Sequence, residues 1–314
     1  MTQVDSINDF LRVSYSSLNV FHSCQRKFEF QKLYPQRKRN RDSFAADVGT
    51  ALHHGYQDFL IHGDRDRATW VYMTDYPYAL EQEQNNNYRS LEAGLSTLEE
   101  MFDSVAMADY ELAQIKKPDG TVVPAIEVPF EIRFNDIVLP DGRKLAFVGF
   151  IDAVMRNLIN DRYRTLDIKT HRRALKDATA KYQYDDQQTP YGIIVEHIQQ
   201  RPVDEFEVLY LDSYVDVLEP SVTLYPFPRT QDDVQEWLLN KVMQFQQIQQ
   251  GMTRDYFPRT SGGCLSFNQP CWFLEVCQSR SREMIQNWLL MGDEIEEPRY
   301  EVPWVVADIN VFGD

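Results

Sequence analysis

The sequence predicts an α/β chain built around a mixed β-sheet of modest size. Four stretches rich in β-branched and aromatic residues read as strands: Ala125–Phe134, Lys144–Met155, Tyr163–Thr170 and Phe206–Asp212. Segments with apolar residues at helical spacing precede and follow them. The chain has 314 residues, 43% of them hydrophobic, with 18 Phe and 17 Tyr, which is ample material for a core.

The elements follow in order. Ser14–Tyr34 is predicted to be one helix, capped by Ser14, Ser16 or Ser17, with Leu18, Phe21, Cys24 and Phe28 on one face. Val48–His62 reads as a second helix, with Leu52, Tyr56, Phe59 and Leu60 inward. Residues 65–118 read as a mainly helical insertion. Asn160-Asp161 offers a hairpin turn between the second and third strands. A helix is expected over Asp186–Gln199, with Tyr191, Ile194, Val195 and Ile198 on one face. Thr230–Gln250 is an amphipathic helix whose signals are Thr230 as cap, Asp233 three residues on, and Gly251 after the end. Gly262-Gly263 leads into a cysteine-rich segment at 260–280, and an acidic, apolar tail covers 294–314. The chain is expected to form a single domain, with its catalytic core at 125–250 and its N-terminal helices at 14–62.

No apolar run approaches the roughly 18 residues a membrane span requires, and the N-terminus resembles no secretory signal, so a cytoplasmic protein is expected. The net charge of −16 argues against a general nucleic-acid coat. The distribution is uneven, however. Basic residues cluster at Arg26, Lys27, Lys32, Arg37, Lys38, Arg39 and Arg41, and again at Lys169, Arg172, Arg173 and Lys176 beside His171. Such patches either line a DNA groove or form solvated faces, and charge alone does not separate the two.

The chemistry centres on Gly149-Phe150-Ile151-Asp152 and, across a short hairpin, Leu166-Asp167-Ile168-Lys169-Thr170. Strand alternation puts Asp167 and Lys169 on one face and Leu166 and Ile168 on the other. Two carboxylates on adjacent strands suit a hard divalent cation, which lowers the pKa of a bound water to make a nucleophile. A lysine beside them orients that water or offsets charge on a phosphate. By itself the pattern also fits a surface strand carrying an ion pair.

Four motifs in one order point further. Gly49-Thr50-Ala51-Leu52-His53 precedes Gly149–Asp152, then Asp167-Ile168-Lys169, then Gln187-Gln188-Thr189-Pro190-Tyr191. This arrangement resembles the PD-(D/E)xK nucleases of the RecB-like branch over roughly Ser14–Cys277. The resemblance implies a restriction-endonuclease-like core. It also implies that His53, Asp152, Asp167 and the Ile168 carbonyl bind Mg²⁺ or Mn²⁺, that Lys169 is catalytic, and that Gln187 and Tyr191 shape the site and contact DNA. His54 is the competing histidine, and Tyr191 also fits a packing role.

Cys24 lies far upstream of Cys264, Cys271 and Cys277, whose spacing is C-x6-C-x5-C. Iron–sulfur members of the resembled family place one cysteine before the core and three after it. The likeness therefore implies a [4Fe–4S] cluster clasping the N-terminal helix to the C-terminal segment. The first gap is wider than the family's common C-x2-C-x5-C. Tetrahedral zinc also takes four cysteines, and buried unligated thiols are a further alternative.

The expected function is a metal-dependent DNA exonuclease acting on ends, with single-stranded DNA favoured. The alternative is a non-catalytic iron–sulfur subunit that binds DNA or assembles a recombination, repair or CRISPR-adaptation complex. The chain carries no helicase motif, which suits a stand-alone enzyme, with phage origin a guess, or one that joins a protein partner. The sequence does not say whether it forms a homo-oligomer.

Overall fold

The structure, a computed structural model, describes residues 9–33, 44–81, 89–117, 120–171, 177–183, 185–199, 206–215, 219–266, 269–279, 283–285, 287 and 304–306. Arg37, Lys38, Arg39, Arg41, Arg172, Arg173, Lys176 and most of the 294–314 tail lie outside the described residues.

Strand β1 is Phe10–Ser14, and helices α1 (Tyr15–Ser23) and α2 (Gln25–Phe28) follow, α2 running into a π-turn at Glu29–Leu33. Next come α3 (Phe44–His62), α4 (Arg65–Asp75), α5 (Tyr78–Glu81) and α6 (Leu91–Phe102). The short strands β2 (Tyr110–Leu112), β3 (Gln114–Lys116) and β4 (Val122–Pro124) lead to the long β5 (Ile126–Val138) and β6 (Lys144–Asn157). The chain continues through β7 (Tyr163–His171), α7 (Ala178–Tyr182), α8 (Tyr191–Gln199), β8 (Phe206–Tyr214), β9 (Ser221–Arg229) and α9 (Gln231–Thr253). It closes with β10 (Leu265–Ser266), β11 (Gln269–Pro270), α10 (Leu274–Gln278) and β12 (Trp304–Val306). The main sheet has eight strands of mixed direction, in the order β12-β5-β6-β7-β8-β9, with β1 and β2 also pairing on β6. This is the helix-flanked mixed sheet that the strand stretches predict, but larger than the modest one expected, because short strands and β9 join the four predicted ones.

The chain divides into two compact units: residues 1–40, 129–149 and 238–314 in one, and 41–128 and 150–237 in the other. In the first, β1 runs parallel to β6, with Phe10 opposite Lys144 and Ser14 opposite Val148. Glu131 is fully buried, and its charge is met by Arg12 and Arg133, each with Nε at 2.7 Å. Phe245 of α9 packs edge-on against Phe134 at 4.9 Å between ring centroids.

In the second unit, the apolar faces of α3, α4 and α6 pack with β7 and β8 around Leu52, Tyr56, Tyr72, Leu98, Leu166 and Leu209. Strand β7 runs parallel to β8, pairing Lys169 with Asp212, and antiparallel to β6. The buried Leu166 and Ile168 alternate with Asp167 and Lys169, which places the charged pair on the opposite face of the strand.

Several expectations are corrected. The first helix is interrupted at Cys24, whose extended backbone (φ −165°, ψ 110°) ends α1 and opens α2. Its N–H still closes α1 on the Val20 carbonyl, while Arg26 N–H turns to Pro258. The helix expected from Asp186 begins at Tyr191, because the residue before Pro190 is disfavoured in helical conformation. Asp185 organises the intervening turns, accepting from Gln187 N–H at 2.8 Å and receiving the Thr189 hydroxyl on its carbonyl at 3.3 Å.

Gly251 lies inside α9 rather than after it. The Phe257 ring packs so closely on it that an added Cβ would sit 2.5 Å away. The predicted cap at the other end is present: Thr230 N–H donates to Asp233 at 2.7 Å, and Asp233 N–H donates back to the Thr230 hydroxyl at 3.2 Å. Within 65–118 the α-helices end at Phe102, and a 3-10 turn at Val105–Met107 and then β2 and β3 follow. Strand β9 was hidden by Pro226 and Pro228, which lack the ladder N–H and are tolerated because β9 is the last strand of its order.

Candidate active site

Glycines set two approaches on which the site depends. An added Cβ on Gly49 of α3 would meet the Thr170 hydroxyl at 3.0 Å, so α3 lies against the end of β7 just beyond Lys169. One helical turn later His53 faces the strand, with its Nδ1 3.8 Å from Asp152 Oδ2. His54 points elsewhere, pairing with Asp75 at 2.6 Å on an exposed surface. The structure thus separates the two adjacent histidines. Gly149, the first residue of the second motif, lies against the Phe130 ring, which an added Cβ would approach to 2.7 Å.

The β6–β7 ladder runs from Arg156–Tyr163 to Ala153–Leu166. The next step of that register sets Asp152 opposite Asp167. There Asp152 Oδ2, rather than a backbone carbonyl, accepts the Ile168 N–H at 2.9 Å. Asp167 is 1% exposed, and its Oδ2 lies 2.7 Å from Lys169 Nζ. Beyond that ion pair the buried oxygen has no hydrogen-bond partner among the described residues. Lys169 Nζ also donates to Gln187 Oε1 at 3.3 Å, and the Tyr191 hydroxyl donates to the Phe150 carbonyl at 2.9 Å. His53, Asp152, Asp167, Ile168, Lys169, Gln187 and Tyr191 are therefore brought together in one unit.

Burial dominates the electrostatics. Desolvation pushes the carboxyls of Asp152 and Asp167 up to about 6, with nearby Lys169 only partly opposing it. Desolvation also lowers the pKa of His53, favouring the neutral imidazole that a metal ligand must be. Burial pulls Lys169 down, but Asp167 and then Asp152 outweigh it, so the ammonium is held above its ordinary value. Burial, followed by the two aspartates, keeps Tyr191 a neutral phenol.

Three neighbours escaped the sequence reading. Gln188 is fully buried and donates to Asp167 Oδ1, so both glutamines of the Gln187-Gln188 pair serve the site. Gln57, one turn after His53, donates to Glu127 at 2.6 Å and to the Asp152 carbonyl at 3.4 Å. Glu127 itself has φ +45°, a left-handed conformation that costs free energy in a non-glycine residue. The Gln-Gln doublet was the one available signal for Gln188; nothing local marks Gln57 or the backbone of Glu127.

Farther along the same face of β7, His171 Nε2 lies 2.7 Å from Asp212 and 2.9 Å from Lys181 Nζ. The Tyr182 hydroxyl also donates to Asp212, at 2.7 Å.

Among the described residues, no three His, Cys, Asp or Glu side chains stand close enough together to hold one ion. Mg²⁺ needs no such closed cage, because it keeps several waters and takes one or two carboxylates. A half-buried and a fully buried carboxylate, the latter with one oxygen met among the described residues by an ammonium alone, beside a neutral imidazole, fit that chemistry.

The cysteines lie in the other unit. All four are free thiols and line a common pocket together with Arg26, Lys27 and Arg259. Gly263 leaves room for this convergence: an added Cβ would lie 2.7 Å from Cys24 Cβ and 2.9 Å from the Ser23 carbonyl. Cys271 N–H bonds the Cys264 carbonyl at 2.8 Å, and Phe273 packs on Phe30 at 5.3 Å. Burial raises the Cys277 thiol, against the opposing pull of Arg259.

The helix-flanked mixed sheet is that of an α/β nuclease core. The chain belongs to the PD-(D/E)XK nuclease superfamily, whose profile matches residues 12–278. Members of this superfamily typically use Mg²⁺ or Mn²⁺. Among solved structures, a Eubacterium rectale protein provisionally called an exonuclease is 14% identical, with 88% of this chain and 98% of that chain covered and a TM-score of 0.49. The protein SSO0001 is 15% identical, with 68% and 81% covered and a TM-score of 0.24. No curated protein matches the chain. Among the described residues, no helix is long and apolar enough to cross a membrane.

Proposed function

We propose that the chain is a metal-dependent DNA exonuclease of the RecB-like branch that degrades DNA from its ends and favours single strands. The observation that carries this reading is the pairing of half-buried Asp152 with buried Asp167, which has Lys169 Nζ 2.7 Å from its Oδ2. In this reading Asp152, Asp167, His53 and the Ile168 carbonyl hold Mg²⁺ or Mn²⁺. Such an ion polarises the scissile phosphate and lowers the pKa of its bound water.

The remaining work falls to the chain's own groups. Lys169, charged and steered by Gln187, offsets the negative charge that grows on the phosphate oxygens. Gln188 fixes the second oxygen of Asp167, leaving Oδ2 directed at the Lys169 ammonium. His53 stays neutral and presents a ring nitrogen beside Asp152. Tyr191 holds the Phe150 carbonyl and so the strand segment that carries Asp152.

The four cysteines line one pocket, and although no three of them stand close enough together among the described residues to hold one ion, they are proposed to hold a [4Fe–4S] cluster, with tetrahedral zinc as the rival occupant. The group would tie the start of the chain to its C-terminal segment. A non-catalytic DNA-binding subunit is the weaker reading, because it gives no reason to keep two desolvated carboxylates and a lysine in contact.

The test is digestion of linear single-stranded, linear double-stranded and circular DNA, end-labelled where linear, by anaerobically purified protein with Mn²⁺, Mg²⁺ or EDTA. Metal-dependent loss of linear single strands from one end, with circles spared, supports the reading. Cleavage of circles would make the enzyme an endonuclease, and no cleavage of any substrate would remove the enzymatic reading.

A further inference from the structure

Phe150 stands two residues before Asp152 on β6. It is 49% exposed, whereas its neighbour Ile151 and the following Ala153 are fully buried. The pleat of β6 therefore puts Phe150 and Asp152 on the same open face, two residues apart. At the usual rise per strand residue that is about 6.7 Å. Phe150 also lies beyond the last β6–β7 ladder pair at Ala153–Leu166. Its main chain is nevertheless held, since its carbonyl accepts the Tyr191 hydroxyl at 2.9 Å. A large apolar ring is thus kept in water, on an anchored segment, within one nucleotide's reach of the carboxylate pair.

We propose that Phe150 is a positioning residue whose ring stacks on the nucleobase next to the scissile phosphate, an inference that rests on the nuclease reading above. A phosphate held at Asp152 and Asp167 leaves its attached base to one side, and the ring offers that base an apolar face. Stacking of this kind tolerates sequence, because every base has a π-face. It requires the base to be free of its own neighbours and partner. Phe150 thereby gives the enzyme a preference for unpaired ends and for any base in the stacked position. The ring touches the base and not the reacting atoms, so it acts on binding and register rather than on the chemical step.

The experiment compares wild type, Phe150→Ala and Phe150→Trp on a single-stranded oligonucleotide and on the same strand made abasic at successive positions from its end. Mn²⁺-induced thermal shifts of each variant show that fold and metal site are retained. On intact DNA, Phe150→Ala should raise KM by roughly 5- to 150-fold, with kcat little changed, and Phe150→Trp should restore it. At one abasic position wild type and Phe150→Ala should become equal. If Phe150→Ala matches wild type on intact DNA, or is impaired equally on intact and abasic strands, stacking is ruled out while the nuclease reading stands. If wild type itself degrades neither strand, the nuclease reading falls and takes this inference with it.

Discussion

The carboxylate of Asp152 accepts the backbone N–H of Ile168 at 2.9 Å, and Ile168 is the residue between Asp167 and Lys169. One side chain thus takes the place of a ladder carbonyl at the point where two strands bring their charged residues together. The bond also favours the ionised form of Asp152, against the stronger pull of desolvation.

That opposition predicts a pH dependence in metal-free protein. Both aspartates titrate near 6 in the folded state, above the unfolded value of 3.8. The folded state therefore holds more protons than the unfolded between those values, and their contribution to stability is lost as pH rises through about 6. His53, with its pKa lowered, acts in the opposite direction near its own titration. Thermal unfolding in EDTA from pH 4 to 8 should show wild type losing ground to Asp152→Asn as pH rises. Mn²⁺ should reverse that loss in wild type only. A constant difference between the two proteins would contradict the desolvation account.

Gln188→Ala removes the donor to Asp167 Oδ1 and leaves the carboxylate free to swing. Loss of an outer partner to a metal ligand costs about 10- to 100-fold in metal affinity or activity. Mn²⁺ titration followed by cleavage rate should show a loss of that order. Unchanged affinity and rate would mean that Gln188 only packs.

Gly263→Ala forces a methyl against Cys24 Cβ and the Ser23 carbonyl. Overpacking of this kind costs about 1–3 kcal/mol, and here it also pushes the cysteines apart. The variant should melt lower and retain less iron, or less zinc, per chain. Unaltered metal content and melting would show that the four thiols do not act as one site.

Replacing any one of Cys24, Cys264, Cys271 or Cys277 with Ser removes one pocket thiol. Anaerobically prepared wild type should be brown and absorb near the violet edge, and each Ser variant should lose that colour. A colourless wild type containing one zinc per chain would assign the site to zinc instead.

Much of this site was legible because its parts follow local rules. Alternation along Leu166–Lys169 set the charged pair apart from the buried pair, and the glycines of both motifs now have reasons in Thr170 and Phe130. What escaped depends on tertiary proximity. Gln57 reaches Glu127 across 70 residues, and no periodicity marks that contact. Pro190 delayed the helix expected from Asp186, so Gln187 reaches Lys169 from a turn rather than from a helical face. Cys24 read as a helical residue because its spacing with Phe21 and Phe28 is helical, although its backbone is extended. The end strands β1 and β12 are short and gain their order from pairing on β6 and β5, which a local pattern does not reveal.

Asp152 and Asp167 are proposed to hold the cation that DNA cleavage requires. Calorimetric titration of Mn²⁺ into wild type and Asp167→Asn, beside cleavage of end-labelled single strands by the same preparations, tests it most directly. Wild type should show one saturable Mn²⁺ site and metal-dependent cleavage, and the variant should lose both while still folding. An Asp167→Asn protein that binds Mn²⁺ and cuts DNA as wild type does would contradict the proposal.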